Sequence, residues 1–366
     1  MEDSWRLLPS ERVIWEGRPA NVPRSRGWAL ATVMLVAVAI VTACFAALLK
    51  FSGMAGVSRS MALCAMCLAG AIGTYLWPRH RLDQLRYALT DRRVLLRRGQ
   101  TSRFIDVASI TYARIRWHRA SPVVGHLELV VATPFGPLRR PLRVVLEDVR
   151  EPDRLWARIR GASARVAAGD ATTPLVERLD EDEQLEWSGR PLGLHLGWRE
   201  LGVAASGLAV TALGFLYAQR NITILLDLEG LGLSVKSPEW ALLFSAALIS
   251  AAAILAVGIT LLWQGLVRSR LLGEQTEYVL TSKRLLIRRG FTELSLDRRR
   301  IVDVAEQRAP RGLVHLFFVL DGPGARALAV SGAMGPVLPA RDAVPPVLFD
   351  VAPSSKLRGF FERAAR

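Results

Sequence analysis

The 366-residue chain is poor in the residues that carry most enzyme chemistry. It has three cysteines and five histidines, and the histidines (His80, His118, His126, His195 and His315) are scattered. No phosphate-binding glycine loop, dinucleotide glycine pattern or HExxH zinc motif occurs. Cys64 and Cys67 make a CxxC inside an uncharged run, but a structural zinc site needs two further ligands. They read as small apolar residues on a helix. His126 and Glu128 would share one face of a strand, and they read as a polar surface because no second carboxylate or metal motif accompanies them. The sequence therefore assigns no catalytic residue, metal or cofactor, and predicts a protein that is not an enzyme.

Charge is also missing, locally. Gly27–Leu49, Ser60–Trp77, Leu201–Gln219 and Trp240–Val267 carry none across 23, 18, 19 and 28 residues. About 20 apolar residues cross a bilayer core of about 30 Å, so all four read as transmembrane helices. Ionisable residues inside spans usually mark ion or substrate paths, and these runs hold none, which argues against transport. Gly70, Gly73, Gly202, Gly207 and Gly214 suit close helix packing. The first run follows 26 residues that include Glu2, Asp3, Glu11 and Glu16, the wrong leader for a signal peptide.

The chain also says the same thing twice. Residues 11–19 read ERVIWEGRP and 183–191 read EQLEWSGRP; residues 87–99 read YALTDRRVLLRRG and 278–290 read YVLTSKRLLIRRG. Each copy places a long apolar block between its two motifs. Solenoid units run about 20–50 residues, so this is a duplicated domain. After each block the period changes to short strands between turns, which predicts an antiparallel sandwich or barrel. A helix opened by Pro152 closes the first copy, and a helix from Ser354 is expected to close the second. Asp106-Val-Ala and Asp303-Val-Ala recur and are expected to hold matching places, the acid accepting hydrogen bonds or pairing with arginine. The organisation reads as a tail over 1–26, a hairpin over 27–77, a module over 78–162, a linker with the second Trp motif over 163–196, a hairpin over 197–267 and a module over 268–366.

The net charge is +15, and it is clustered. Eight arginines lie between Arg79 and Arg103, and nine Lys/Arg between Arg268 and Arg300, whereas Lys50–Arg59 offers two. Basic flanks stay cytoplasmic, so both termini and both modules are expected there. Arg92, Arg93, Arg97, Arg98, Lys283, Arg284, Arg288 and Arg289 are the candidate contacts for anionic headgroups or a protein partner; the alternative is that they set topology and solvate strand tips. Trp15, Arg18, Trp187 and Arg190, beside the helices, read as a membrane-interface motif. Nucleic acid is disfavoured, because no aromatic stacking pattern accompanies the charge.

The Tyr-x-Leu-Thr-x-[Arg/Lys]-Arg hairpin directly after a transmembrane pair resembles the bacterial pleckstrin-homology-like proteins anchored in the inner membrane. The resemblance covers about 11–160 and 183–366. It implies two copies of a bent antiparallel sheet capped by a C-terminal helix, in a multi-pass bacterial inner-membrane protein, and it implies no catalytic activity. The function expected is binding of anionic membrane lipid or a protein partner, self-association included; the alternative is an accessory subunit of a transport or envelope-assembly complex. Many relatives start their third strand with Pro-[Leu/Ile]; Arg103-Phe104-Ile105 and Leu296–Ile301 depart from this, which predicts a displaced or shortened strand.

Overall fold

A computed structural model describes residues 5, 7–20, 26–51, 57–135, 140–162, 170–192, 198–230, 238–267, 274–320, 346–353 and 357. The chain is mixed helix and sheet. In the first half, strand β1 (Val13–Gly17) precedes helices α1 (Arg26–Phe51) and α2 (Val57–Asp83). Strands β2 (Leu85–Thr90), β3 (Arg93–Arg98), β4 (Thr101–Asp106), β5 (Tyr112–Trp117), β6 (Val124–Phe135) and β7 (Arg140–Arg150) follow, then α3 (Pro152–Ile159). The second half repeats the order: β8 (Leu185–Gly189), α4 (Trp198–Gly230), α5 (Pro238–Leu262), β9 (Thr276–Thr281), β10 (Arg284–Arg289), β11 (Thr292–Asp297), β12 (Asp303–Arg308), β13 (Val314–Val319) and β14 (Val347–Val351).

Among the described residues, four helices are long and apolar enough to cross a membrane. α1 packs on α2 and α4 on α5. Glycine sets the second crossing: a Cβ on Gly207 would lie 2.6 Å from the Leu262 nitrogen, and one on Gly258 would lie 2.3 Å from Thr211 Oγ1. Gly214 meets Ile254 and Leu255, and Gly70 meets Leu35, whereas Gly73 and Gly202 face nothing within 4 Å. Overpacking costs about 1–3 kcal/mol. Gly258→Leu is therefore expected to lower the melting temperature of the detergent-solubilised protein, while Gly73→Leu leaves it unchanged. Equal melting of both variants would remove the role given to this crossing.

The sheets are antiparallel and none closes into a barrel. Their orders are β1-β2-β3-β4, β7-β6-β5-β11-β10-β9-β8 and β12-β13-β14. The central seven strands run across both halves, because β5 pairs with β11 from Tyr112↔Leu296 to Arg116↔Thr292. Alternation along this shared sheet feeds two cores. Ala113, Ile115 and Trp117 point into the first, with Leu127, Leu129 and Leu146. Tyr112 joins the second, with Leu294, Leu296 and Phe318. α3 caps the first core through buried Leu155, Trp156 and Ile159. Apart from Leu357, which is buried in the second core, the expected final helix lies outside the described residues, as does the 321–345 segment.

Two local expectations need correction. β4 and β11 are not shortened: each has six residues, and each pairs along its length with β3 or β10. Asp106 does not match Asp303. Asp106 ends β4 as Asp297 ends β11, and each is followed by a 3-10 turn and a buried isoleucine, Ile110 or Ile301. Asp303 begins β12 instead, so the shared Asp-Val-Ala is a coincidence of composition.

Candidate functional site

The repeated motifs meet in space, and they build a latch. In the first half Glu11 accepts a fork from Arg93, with Nε to Oε1 at 3.0 Å and Nη2 to Oε2 at 2.5 Å. Thr90 donates to the same carboxylate at 2.7 Å, and the Leu8 amide donates at 2.7 Å. In the second half Glu183 accepts from Arg284 Nε and Nη2 at 2.9 Å each, from the Asp180 amide at 3.0 Å, and from Thr281. The hairpin-turn threonines also accept the amides of Arg93 (2.8 Å) and Arg284 (2.9 Å). The Arg93 bonds, followed by those of Leu8 and Thr90, outweigh burial and hold the Glu11 carboxyl down at about 2.

The other repeated residues are structural too. Trp15 and Trp187 lie in the edge strands β1 and β8, with their rings against the two cores. Each ring folds over its own glycine: a Cβ on Gly17 or Gly189 would come within 2.4 Å of it. The segment read as a join to the membrane is thus a strand of the sheet, and each helix pair is inserted between the first and second strands. Arg18 and Arg190 beside it are exposed. The Tyr87 hydroxyl donates to the Glu147 carbonyl and accepts its amide, both at 2.9 Å; Tyr278 does the same with Phe349 at 3.4 and 3.1 Å. Gly99 and Gly290 take φ of 57° and 58° in the tight turns that close the second motif.

Next to those tyrosine contacts, Asp148 and Asp350 share φ of 54°, uncommon for a residue with a side chain. Their amides donate to Nδ1 of His126 (3.2 Å) and His315 (3.1 Å). The first half adds His118, whose Nε2 lies 2.6 Å from Asp148 Oδ1. Ligand atoms of His118, His126 and Asp148 lie within 4.8 Å of one another, so this trio could hold a divalent ion. Burial holds His126 down at about 4, hence neutral at physiological pH. The spacing of these residues gave no metal signal in sequence, because Asp148 is 30 residues from His118.

The eight basic candidates separate. Arg93 and Arg284 are buried in the latches. Arg288 pairs with Glu293 at 2.9 Å and donates to the Thr173 carbonyl at 2.5 Å, and Arg289 beside it is half-buried. Arg92 and Lys283 are exposed at the far turns, each near an aspartate, Asp91 and Asp182. Arg98 is exposed and Arg97 half-buried, and they sit where the chain leaves α2: the Gly99 amide donates to the Gln84 carbonyl at 3.3 Å. The Arg92 turn lies six residues along β2 from that point, about 20 Å at 3.3 Å per residue. Nearness in sequence to the helix is therefore not nearness in space.

Register distinguishes the two halves. β2 and β3 set Arg86 opposite Arg97, whereas β9 and β10 set Glu277 opposite Arg288. Like charges opposite one another destabilise a ladder, and opposite charges support it. Arg79 and Arg81 complete the basic end of α2, Arg81 pairing with Glu147.

A second polar centre, invisible in the sequence, fills the seam between the halves. A cleft there is lined by Trp156, Arg160, Arg178, Arg284, Glu293 and Ser295, among others. Arg178 pairs with Glu293 at 2.8 Å and Arg160 with Asp180 at 3.1 Å. Burial pushes the Glu293 carboxyl up and the two guanidiniums down. These pairs join residues more than 100 positions apart or across the linker, so local patterning cannot reveal them. No protein-family model, curated protein or solved structure matches the chain.

Proposed function

We propose that this is a non-catalytic multi-pass membrane protein of a bacterial inner membrane, whose first β module holds anionic lipid headgroups where α2 leaves the bilayer. The reading rests on the Arg86–Arg97 pair at the helix exit. Arg86 donates to the Asp83 and Leu85 carbonyls and Arg97 to the Gly99 carbonyl. A phosphate close to both guanidiniums would add a shared counter-charge to this base-facing-base ladder. The second half, with Glu277 at the matching place, supplies its own counter-charge. The contact set is then Arg86, Arg97 and Arg98, with Arg79 beside them.

The test uses the full-length protein in detergent, with retained phospholipid counted by native mass spectrometry. Each cation near an anionic surface contributes about 1 kcal/mol. Arg97→Ala with Arg98→Ala is expected to lose about 2 kcal/mol, roughly thirtyfold in affinity for anionic lipid. Arg92→Ala, at the far turn, is expected to bind as the wild type does. Zwitterionic lipid should show no such difference, and salt should weaken the anionic binding. Equal retention by the double variant and the wild type overturns the reading.

A further inference from the structure

Within one chain, β5 of the first half lies on β11 of the second. The duplication means that this join has an unused twin. β11 corresponds to β4, and β5 corresponds to β12, as the matched Asp106/Asp297 and Ile110/Ile301 positions fix. β4 ends the four-stranded sheet and β12 ends the three-stranded sheet, so each has one strand neighbour among the described residues. β4 is exposed at five of its six positions, including Phe104 at 55%. It carries neither the proline nor the bulge with which exposed edges are usually blunted.

We propose that copies of this chain join head to tail, β12 of one copy pairing antiparallel with β4 of the next. The register follows from the join already present. Transferring Leu296↔Tyr112 through Thr292↔Arg116 onto the twins sets Ile105 opposite Asp303, Phe104 opposite Val304, Arg103 opposite Ala305, Ser102 opposite Glu306 and Thr101 opposite Gln307. This pairing covers the exposed Phe104 with a valine. Arg103 meets an alanine, as Arg114 meets Leu294 in the existing join. Glu306 falls in one row with Ser102 and, across β3, with Arg97, so acid and base share a face. No like charges stand opposite one another. A partner that is a second copy is favoured because the same kind of edge already receives the same kind of strand inside the molecule. Because the contact is head to tail, its repetition gives a ring where the rotation closes and a filament where it does not.

The experiment uses full-length protein in native membranes, with Cys44, Cys64 and Cys67 replaced by alanine. One differently tagged chain carries Phe104→Cys and the other Val304→Cys, and the two are co-expressed and oxidised. Directly opposed strand residues lie about 4.5–5.5 Å apart, within disulfide reach. A disulfide-linked species bearing both tags is expected, in about tenfold greater yield than from Ser102→Cys with Val304→Cys, where the register is shifted. In parallel, light scattering on the purified wild type is expected to show a mass above the monomer. Ser102→Pro is expected to reduce that mass to the monomer with unchanged circular dichroism. The Val107 amide donates to the Arg92 carbonyl, and this alternation turns the Arg103 amide to β3 and the Ser102 amide to the open edge. Links between two Phe104→Cys chains in place of mixed ones would mean β4 pairs with itself. That outcome overturns the proposal, as does a monomeric wild type without mixed links.

Discussion

Arg93→Ala is expected to be among the most damaging single changes outside the helices. It leaves the Glu11 carboxylate, whose side chain has no solvent exposure, without its guanidinium fork. Breaking a buried pair by removing one partner costs about 3–5 kcal/mol, because the remaining charge is stranded. For a unit of about 150–250 residues each kcal/mol is worth about 2–4 °C, so the melting temperature should fall by about 6–20 °C. Glu11→Ala should act similarly from the other side. The joint change Glu11→Leu with Arg93→Met should recover most of the loss, since apolar replacement of a whole buried pair is often neutral. A double variant as unstable as the sum of the singles would show that the fork is not a unit. The acid dependence carries a sign. Arg93 holds Glu11 down at about 2 in the fold, below the ordinary glutamate value of about 4.5. Its stabilisation is present above about 4.5 and drains as pH falls towards 2. Glu11→Gln should flatten that part of the acid unfolding curve.

Much of this fold is legible in the sequence, and the reason is periodicity. Val94–Leu96 and Tyr87–Thr90 are short, mostly apolar runs on either side of the Asp91-Arg92 turn, and β2 and β3 extend them by only a few positions. The four uncharged runs become the cores of the four long helices, and Pro152 opens α3. What was illegible is pairing at a distance. Nothing near Arg93 distinguishes it from Arg92, because the acid that buries it lies 82 residues away, across an inserted helix pair. Trp15 reads as an interface residue since it stands before a membrane run, yet its partner strand begins 70 residues later, at Leu85. The β5–β11 seam is hidden for the same reason, as is the polar cleft it covers. The repeat itself is also two-edged. It marks residues that both halves need, and these are the latch, the Trp–Gly stack and the Tyr–carbonyl clasp. Residues that differ between the halves, such as Arg86 against Glu277 or His118 against Ala309, carry the information about what each half does.

Arg178→Ala is expected to uncouple the halves as well as to destabilise them. The side chain comes from the linker, pairs with Glu293 on β11, and lies 5.2 Å from the Trp117 ring on β5. It also donates to the Thr173 carbonyl at 3.1 Å and to that of Asp170. Glu293 stands opposite Ile115 at the seam, so Arg178 clamps both strands where the halves join. Without it Glu293 keeps Arg288 alone of its two guanidinium partners. The loss is again about 3–5 kcal/mol, but it is concentrated at the boundary. A chain whose seven-stranded sheet spans both halves should unfold in one calorimetric transition. The variant should show two, as the cores around Leu127 and Leu294 separate. Arg178→Lys keeps the charge but not the planar fork or the ring stacking, and should fall between. The pH dependence supplies a second readout. Burial already holds the Glu293 carboxyl above its usual range, and losing Arg178 raises it further. A carboxyl raised in the fold costs stability as pH climbs through its unfolded value towards its folded one. The gap between variant and wild type should therefore be wider at neutral pH than in mild acid, and Glu293→Gln in the variant should abolish that difference. A single transition that merely moves down, with a gap independent of pH, would place the coupling elsewhere in the β5–β11 ladder.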